Sequence, residues 1–342
     1  MRTAGCETIV DAKDLAVVGI TEVLGRLPKI YRLFQELIAE ADRRRPDLAV
    51  VIDAPAFNWR VARQMRQRDI PVVYYVCPQF WAWRQGRVKL LRKYVDKALV
   101  IFPFEEKFYR DRGVDATFVG HPLADLPRPE VSRESYAAEH DLVADKPWIT
   151  LMPGSREKEV RMNLPAILQS VEKLGSVYEF LLPVAPTLDA GWLRSLIGAD
   201  RRVRLVPEAL TALARSRGGI VASGTATVEA AIMGTPFVMV YRVTPLTYIL
   251  GKPRVKVPHF AMVNLIAGKE IVPELVQHNF TAENVVTRLK PLLVDGPARA
   301  EMIAGLEGVK TSLQGKTSDG VPAAERAARI ILQILSSKAA KG

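Results

Sequence analysis

Two segments in the second half of the chain place small residues, hydroxyls and a guanidinium where apolar runs end. Met152–Glu159 reads MPGSREKE. Gly154 permits a tight turn, Ser155 can cap a following helix, and Arg156 can reach into a cleft. Backbone N–H groups at such a turn, with a guanidinium beside them, suit a phosphate. The same residues also suit an ordinary strand-to-helix loop with a solvated arginine. Ser223–Glu229 reads SGTATVE and runs on into AAIMGTP. Gly224 and Ala226 let the backbone approach a ligand closely, while Ser223, Thr225 and Thr227 add hydroxyl donors. A pyrophosphate at a helix start here would meet unpaired N–H groups and the positive end of the helix dipole. Glu229, about two turns further on, is an acceptor for sugar hydroxyls. The competing reading is a Ser-capped helix of small residues packed tightly on a sheet.

Three further segments carry side chains with chemistry. In Val51–Asn58 (VIDAPAFN), Asp53 ends a very apolar run. Its carboxylate is exposed at the ligand edge of the sheet, where partial burial would tune it as a general base, or else it caps the next helix. Tyr74–Arg87 (YYVCPQFWAWRQGR) sets Trp81 and Trp83 beside Arg84 and Arg87. Aromatic and guanidinium groups together grip a phosphosugar or a nucleic acid, unless the loop lines the core and its arginines face solvent; Cys77 reads as structural. In Ala16–Ile38, Pro28 splits the stretch into a loop or short helix and a longer helix. Val17, Val18, Ile20, Val23, Leu24 and Leu27 exceed what one buried face needs. An exposed apolar patch ringed by basic residues is expected there, suited to acyl chains at an anionic interface. Gly315-Lys316-Thr317 imitates the end of a P-loop, but Lys310 stands where its first glycine belongs and no strand precedes it.

The elements that must position these groups alternate between short β-branched runs and longer amphipathic stretches. Leu48–Ala54, Pro71–Val76 and Lys97–Phe102 read as buried strands. Lys29–Arg44, Asn58–Gln67 and Gly86–Tyr94 read as helices between them. A second series follows a polar, proline-bearing stretch at Pro127–Lys146. Its strands are Trp148–Met152, Tyr178–Pro183, Val203–Val206, Gly219–Ala222 and Pro236–Tyr241, with a long alanine-rich helix at Val321–Ser336. The fold class is therefore α/β, with two doubly wound domains: 1–126, a linker region 127–146, and 147–342 with its C-terminal helix. Ligands bind such sheets at the carboxyl ends of strands, and here in the cleft between domains.

Composition narrows the partners. The chain has 342 residues and a net charge of +11, which favours an anionic partner: nucleic acid, an anionic membrane surface or a phosphorylated substrate. Cys6 and Cys77 are far apart, and the four histidines are scattered, so no disulfide framework or dedicated metal site is expected. No run reaches the roughly 18–20 apolar residues of a membrane-spanning helix, and the N-terminal stretch lacks a signal-peptide apolar region.

The segments IDAPAFN, VCPQFWAWRQGRV, FPFEEKFY, FVGHPLAD, MPGSREKEV, SGTATVEAAIMGTP and NLIAGKEIVPEL occur in this order. Together they resemble the lipid-A-disaccharide synthase family, from about Met1 to the end of the chain. SGTAT…E alone says only nucleotide-sugar transferase of the GT-B type, with two Rossmann-like domains facing across a cleft. The resemblance implies that UDP-2,3-diacylglucosamine donates its sugar to 2,3-diacylglucosamine 1-phosphate, giving a β-1,6-linked disaccharide 1-phosphate and UDP with inversion. Asp53 is then the base or an acceptor-side carboxylate. Arg156, with Gly154 and Ser155, and the backbone of Ser223–Thr227 are candidates for the diphosphate. Glu229 fits a ribose contact, and Asn264 a donor-side polar contact. Asn58, Trp81, Trp83 and Arg84, with Val17, Ile20 and Leu24, fall on the acceptor or membrane side. No cofactor or metal is implied if protein dipoles and Arg156 carry the diphosphate charge. The implied partners are the two lipid substrates and the anionic cytoplasmic face of the inner membrane, where a cytoplasmic protein binds peripherally; nucleic acid is not among them, and a homo-oligomer is compatible.

Three departures bear on these expectations. The family carries a strand, a glycine-rich GEASGD loop and a helix before the segment matching Met1–Glu7. Met1 is therefore expected to match an internal methionine, through a late gene start or a truncation, with the first βα unit and part of the acceptor site missing. Ala56 stands where the family usually has aspartate, which leaves Asp53 as the carboxylate of that motif. Met262–Asn264 reads MVN where a proline commonly precedes the asparagine. The alternatives are another GT-B transferase or UDP-sugar epimerase, a nucleic-acid-binding protein, and a truncated non-catalytic relative. No helix-turn-helix, RRM or zinc-finger signature supports the second of these.

Overall fold

A computed structural model describes residues 4–9, 20–198, 200–251, 257–315 and 320–339. The strands form two separate, wholly parallel sheets. The first contains β1 (Ala49–Ile52), β2 (Val72–Tyr75), β3 (Lys97–Val100) and β4 (Ala116–Phe118) in the order β1-β2-β3-β4. Its connections run through α2 (Pro55–Arg66), α3 (Phe80–Trp83), α4 (Val88–Tyr94) and α5 (Pro103–Arg110), and α1 (Ile20–Arg44) precedes it. β2 and β3 are covered on both faces, which is why they read as unbroken apolar runs: Val72, Val73, Tyr74, Ala98, Leu99 and Val100 are all inaccessible. The helix before β1 continues through Pro28 rather than splitting there. One proline removes a single N–H donor, and the amphipathic stretch on either side carries the helix across it.

The second sheet contains β5 (Trp148–Met152), β6 (Glu179–Pro183), β7 (Val203–Val206), β8 (Gly218–Ala222), β9 (Phe237–Tyr241) and β10 (Glu274–Val276). Their order is β10-β9-β8-β5-β6-β7. From β5 the chain moves outward through α7 (Glu157–Leu174), β6, α8 (Ala190–Ile197) and β7. It then returns through α9 (Ala209–Arg215) to β8 on the other side of β5 and continues through α10 (Thr225–Met233) to β9. This reversal makes a topological switch point between β5 and β8. After β9 come α11 (Pro245–Gly251), α12 (Met262–Ala267), β10, α13 (Ala282–Leu293) and α14 (Pro297–Gln314). The strands expected from sequence are present within a residue or two at each end. β4 and β10, at three residues each, are too short for periodicity to reveal them.

Two segments pack differently from their place in the sequence. The polar stretch after residue 126 contains α6 (Arg133–Glu139), whose Tyr136 and Ala137 join Trp148, Leu181, Val206 and Ala212 in one core cluster. This part of the connection is docked on the second sheet. Conversely, α15 (Ala323–Ala339), read as part of the C-terminal half, packs on the first sheet. Its Ala327 is buried with Val73, Leu99 and Val119, and Arg326 Nε donates to the Val119 carbonyl at 2.7 Å. Complementary apolar faces, rather than sequence order, decide where a terminal amphipathic helix lies.

Candidate functional site

The two small-residue segments sit at the switch point, one after β5 and one after β8, which are direct neighbours in register. After β5 the chain turns at Gly154, φ 130°, where any Cβ would lie 2.6 Å from the Glu159 Cβ. α7 starts at an N-cap formed by Arg156, and no side chain caps it. The cap expected from Ser155 is therefore absent. The Ser155 amide instead donates to Glu159 Oε2 at 3.1 Å, and its carbonyl accepts from Thr187 Oγ1 beyond β6. Arg156 is exposed and donates from Nη1 to Glu159 Oε1 at 2.8 Å. Buried Asn163 on α7 holds the Pro153 carbonyl at 2.8 Å, fixing the base of the turn.

After β8, Gly224 at φ 137° is the N-cap of α10, again with no side-chain cap, and a Cβ there would meet nothing within 4 Å. The glycine is needed for its backbone angle, and the space beside it is open to a ligand. Ser223 does not cap the helix: its hydroxyl donates to the Phe260 carbonyl at 2.8 Å. Thr227 is buried and donates to the Gly224 carbonyl at 2.7 Å. Exposed Thr225 and half-buried Ala226 thus present the amino end of the helix. Glu229 lies one turn into α10 rather than two, half-buried, and burial raises its carboxyl above the usual carboxylate range.

Asn264 is fully buried and its amide is saturated. Its Oδ1 accepts from the Ile271 and Val272 amides at 2.8 and 3.0 Å, and its Nδ2 donates to Val272 O and Glu274 Oε1, each at 2.9 Å. The expected donor contact by this side chain gives way to a positioning role, because no polar atom of the amide remains unused. Glu274, which sequence reading passed over, also accepts from the Phe260 and Ala261 amides at 2.9 Å. Asn264 and Glu274 therefore hold the strap that receives Ser223. The signal was available: both lie in the NLIAGKEIVPEL segment, ten residues apart.

On the first sheet, Asp53 follows β1 and is exposed at the carboxyl end of that strand, with none of the partial burial that would tune a base. It does not cap α2 either; the N-cap is Ala54, without a side-chain bond. Asp53 and Ala54 both adopt left-handed angles, φ 47° and 44°, a strained pair for non-glycine residues. Three bonds hold the turn: Asn58 Nδ2 donates to the Ile52 and Asp53 carbonyls at 2.8 Å, and Tyr74 Oη donates to the Asp53 carbonyl at 2.7 Å. Asn58 thus shapes the turn that presents the carboxylate.

The aromatic loop divides. Trp81 is buried and donates from Nε1 to Glu105 Oε1 at 2.9 Å, so it cannot grip a substrate face. Trp83 is 47% exposed, with the Arg84 guanidinium stacked 3.8 Å from its ring centroid. Glu105, also missed, is inaccessible and accepts the Ile101 and Phe102 amides as well. Burial pushes its carboxyl up to about 7 against the opposite pull of those donors. Cys77 is buried, as a structural thiol should be. Val17 and the rest of residues 10–19 lie outside the described residues, as do the side chains of Ile20, Val23, Leu24 and Leu27. Among the described residues no three His, Cys, Asp or Glu side chains group as metal ligands, and no helix is long and apolar enough to cross a membrane.

Comparison with known proteins adds sequence and fold relatives. The family described as lipid-A-disaccharide synthetase matches residues 1–321. A lipid-A-disaccharide synthase of Koribacter versatilis (strain Ellin345) is 53% identical, over 99% of this chain and 89% of the relative. Among solved structures, the glycotransferase of kitacinnamycin superposes with a TM-score of 0.60 at 16% identity, over 93% of this chain and 84% of that one. A UDP-GlcNAc 2-epimerase from Neisseria meningitidis bound to UDP-GlcNAc gives 0.58 at 12% identity, over 90% and 82%. At those identities the likeness is one of fold, the GT-B arrangement of two parallel α/β sheets.

Proposed function

Because the chain belongs to the lipid-A-disaccharide synthetase family, we propose that its switch-point loops hold the diphosphate of UDP-2,3-diacylglucosamine. Its activity is glycosyl transfer of the lipid-A-disaccharide synthase type. The observation that carries the site assignment is the adjacency of two glycine turns, Gly154 and Gly224, after neighbouring strands β5 and β8, each opening a helix without a side-chain cap. Unpaired amides of Thr225 and Ala226, the α10 dipole and the Arg156 guanidinium supply positive character where the leaving UDP develops charge. Glu229 accepts from the ribose hydroxyls.

The chemistry is a single displacement. The acceptor 6-hydroxyl oxygen attacks the anomeric carbon of the donor, the bond to the UDP oxygen breaks with inversion, and UDP leaves with the electron pair. The hydroxyl proton passes to a base, for which Asp53 on its strained turn is the candidate. Exposed Trp83 and Arg84 face lipid headgroups when the acyl substrates are presented at an anionic surface. The division at 127–146 frames the reading: an acceptor side built on the first sheet and a donor side on the second.

The test is direct. The 342-residue chain is incubated with UDP-2,3-diacylglucosamine and 2,3-diacylglucosamine 1-phosphate, and UDP release and disaccharide 1-phosphate are measured together. Stoichiometric appearance of both supports the reading. UDP release without disaccharide, or epimerised UDP-sugar instead, overturns it.

A further inference from the structure

A second concentration of positive charge lies at the opposite edge of the second sheet. Arg133, Arg215, Arg217 and Arg299 line one pocket of about 360 Å³, with Asp145 on its rim. Arg217 immediately precedes β8, and the pocket residue Pro147 immediately precedes β5. The switch-point loops follow those same two strands. The pocket is therefore separated from them by the length of five-residue strands, about 16 Å.

The four guanidiniums are held mainly by neutral carbonyls. Arg133 donates to the carbonyls of Ala144, Lys146 and Arg215. Arg215 donates to those of Pro129 and Val131. Arg299 donates from one nitrogen to the Arg217 and Leu292 carbonyls, and Arg217 donates to Leu293. Carbonyls fix the direction of a guanidinium without cancelling its charge. Among the described residues, the carboxylate within 4 Å of any of the four is Asp295, shared by Arg217 and Arg299 and 89% exposed. Each guanidinium has five N–H donors, so these bonds leave capacity for a ligand. Burial pushes the Arg133 and Arg299 guanidiniums down from their ordinary values, with Arg215 and Arg217 respectively adding to it and nearby carboxylates opposing it. α14 begins beside them at Gly296 with no side-chain cap, adding the positive end of an 18-residue helix.

We propose that this pocket is a binding site for a phosphate-class oxyanion, separate from the donor site. Rigid, carbonyl-anchored guanidiniums offer the planar, paired donors that match phosphate oxygens. Glu134, Asp145 and Glu179 act on Arg133 from around the pocket and Asp295 on Arg217 and Arg299, so an oxyanion is recognised here by directed N–H donors rather than by surplus charge. The bound group could be a soluble phosphate or the phosphate of a lipid headgroup; both present the same oxygens.

The experiment uses the full chain with UDP at saturation, so that the donor site is filled. Inorganic pyrophosphate is titrated by calorimetry and by thermal unfolding. We expect UDP-independent binding that weakens as sodium chloride is raised. Arg217→Gln should weaken it about tenfold or more, the loss of one charged hydrogen bond. Asp145→Asn, a change at an exposed rim position, should tighten it several-fold and keeps the test alive if Arg217→Gln does not fold. In a further arm, vesicles of phosphatidylcholine with phosphatidic acid compete against pyrophosphate. Competition identifies a lipid headgroup as the source, and its absence a soluble phosphate. No pyrophosphate binding beside saturating UDP, or an affinity unmoved by both substitutions, overturns the site.

Discussion

Arg156 Nη1 lies 2.8 Å from Glu159 Oε1, and the other oxygen of the same carboxylate takes the Ser155 amide at 3.1 Å. The two donors assigned to the diphosphate after β5 are thus engaged by one internal anion. Gly154 makes room for it, since a Cβ there would fall 2.7 Å from Glu159 Oε2. An incoming diphosphate has to displace this carboxylate or share its donors. Removing the charge while keeping the shape should therefore favour the ligand. Glu159→Gln is expected to bind UDP several-fold more tightly, and Arg156→Ala about tenfold more weakly. Calorimetric titration of UDP into both variants checks the pair; an unchanged constant for Arg156→Ala removes that residue from the site.

Asp53 offers a different signature. As the base, it acts on the acceptor hydroxyl and not on UDP. Asp53→Asn should leave UDP affinity intact and lower turnover by about 10²–10⁴-fold. Initial rates of disaccharide formation at saturating substrates decide it, with near-normal turnover eliminating Asp53 as base.

Asn264 acts at a distance from the ligand. Asn264→Ala strands the half-buried Ile271 and buried Val272 amides and frees the strap held by Glu274. The expected loss is about 2–3 kcal/mol of stability, accompanied by weaker UDP binding because Ser223 loses its fixed partner at Phe260. Urea unfolding and UDP titration measure the two effects; a variant of full stability contradicts the bonding described.

Glu105 and His121 make opposed contributions to stability against pH. Burial raises Glu105 from 4.5 to about 7 and lowers His121 from 6.5 to about 4. Between pH 4.5 and 7 the folded chain binds an extra proton at Glu105, so that group's contribution falls as pH rises. Between pH 6.5 and 4 the folded chain lacks a proton at His121, so its contribution falls as pH drops. Each amounts to about 3 kcal/mol, and they offset one another over the shared window. His121→Asn, which keeps an acceptor for the Leu123 amide that His121 Nδ1 now takes, should unmask a stability that declines from pH 5 to 7. Glu105→Gln should unmask the reverse slope. Denaturant midpoints at half-unit pH steps test both; a flat profile in each variant refutes the pairing.

The sequence by itself determined the alternation of strands and helices, because buried parallel strands must be continuously apolar and the covering helices must be amphipathic. It also determined where the small-residue turns fall, since only glycine adopts φ 130° at Gly154 and φ 137° at Gly224 without strain. It marked Asp53, Arg156 and Glu229 as groups with chemistry, and the ordered motifs marked the family. What it left open was the use of each polar atom. Asn58, Ser223, Thr227, Asn264 and Trp81 all looked available to a ligand, and each directs its donor to a carbonyl or carboxylate of the protein. Ser223 and Trp81 find their partners 37 and 24 positions away, and Asn58, Thr227 and Asn264 find theirs within ten positions through turns that only the folded backbone makes, so residue type and spacing do not report which polar atoms are already used. Tertiary structure likewise decided that β5 and β8 are neighbours, which brings the two turns together, and that α15 returns to the first sheet. It also gathered Arg133, Arg215, Arg217 and Arg299, dispersed over more than 160 positions, around one pocket. Strand order and helix docking are choices among long-range contacts of similar apolar character, and only the folded chain makes them.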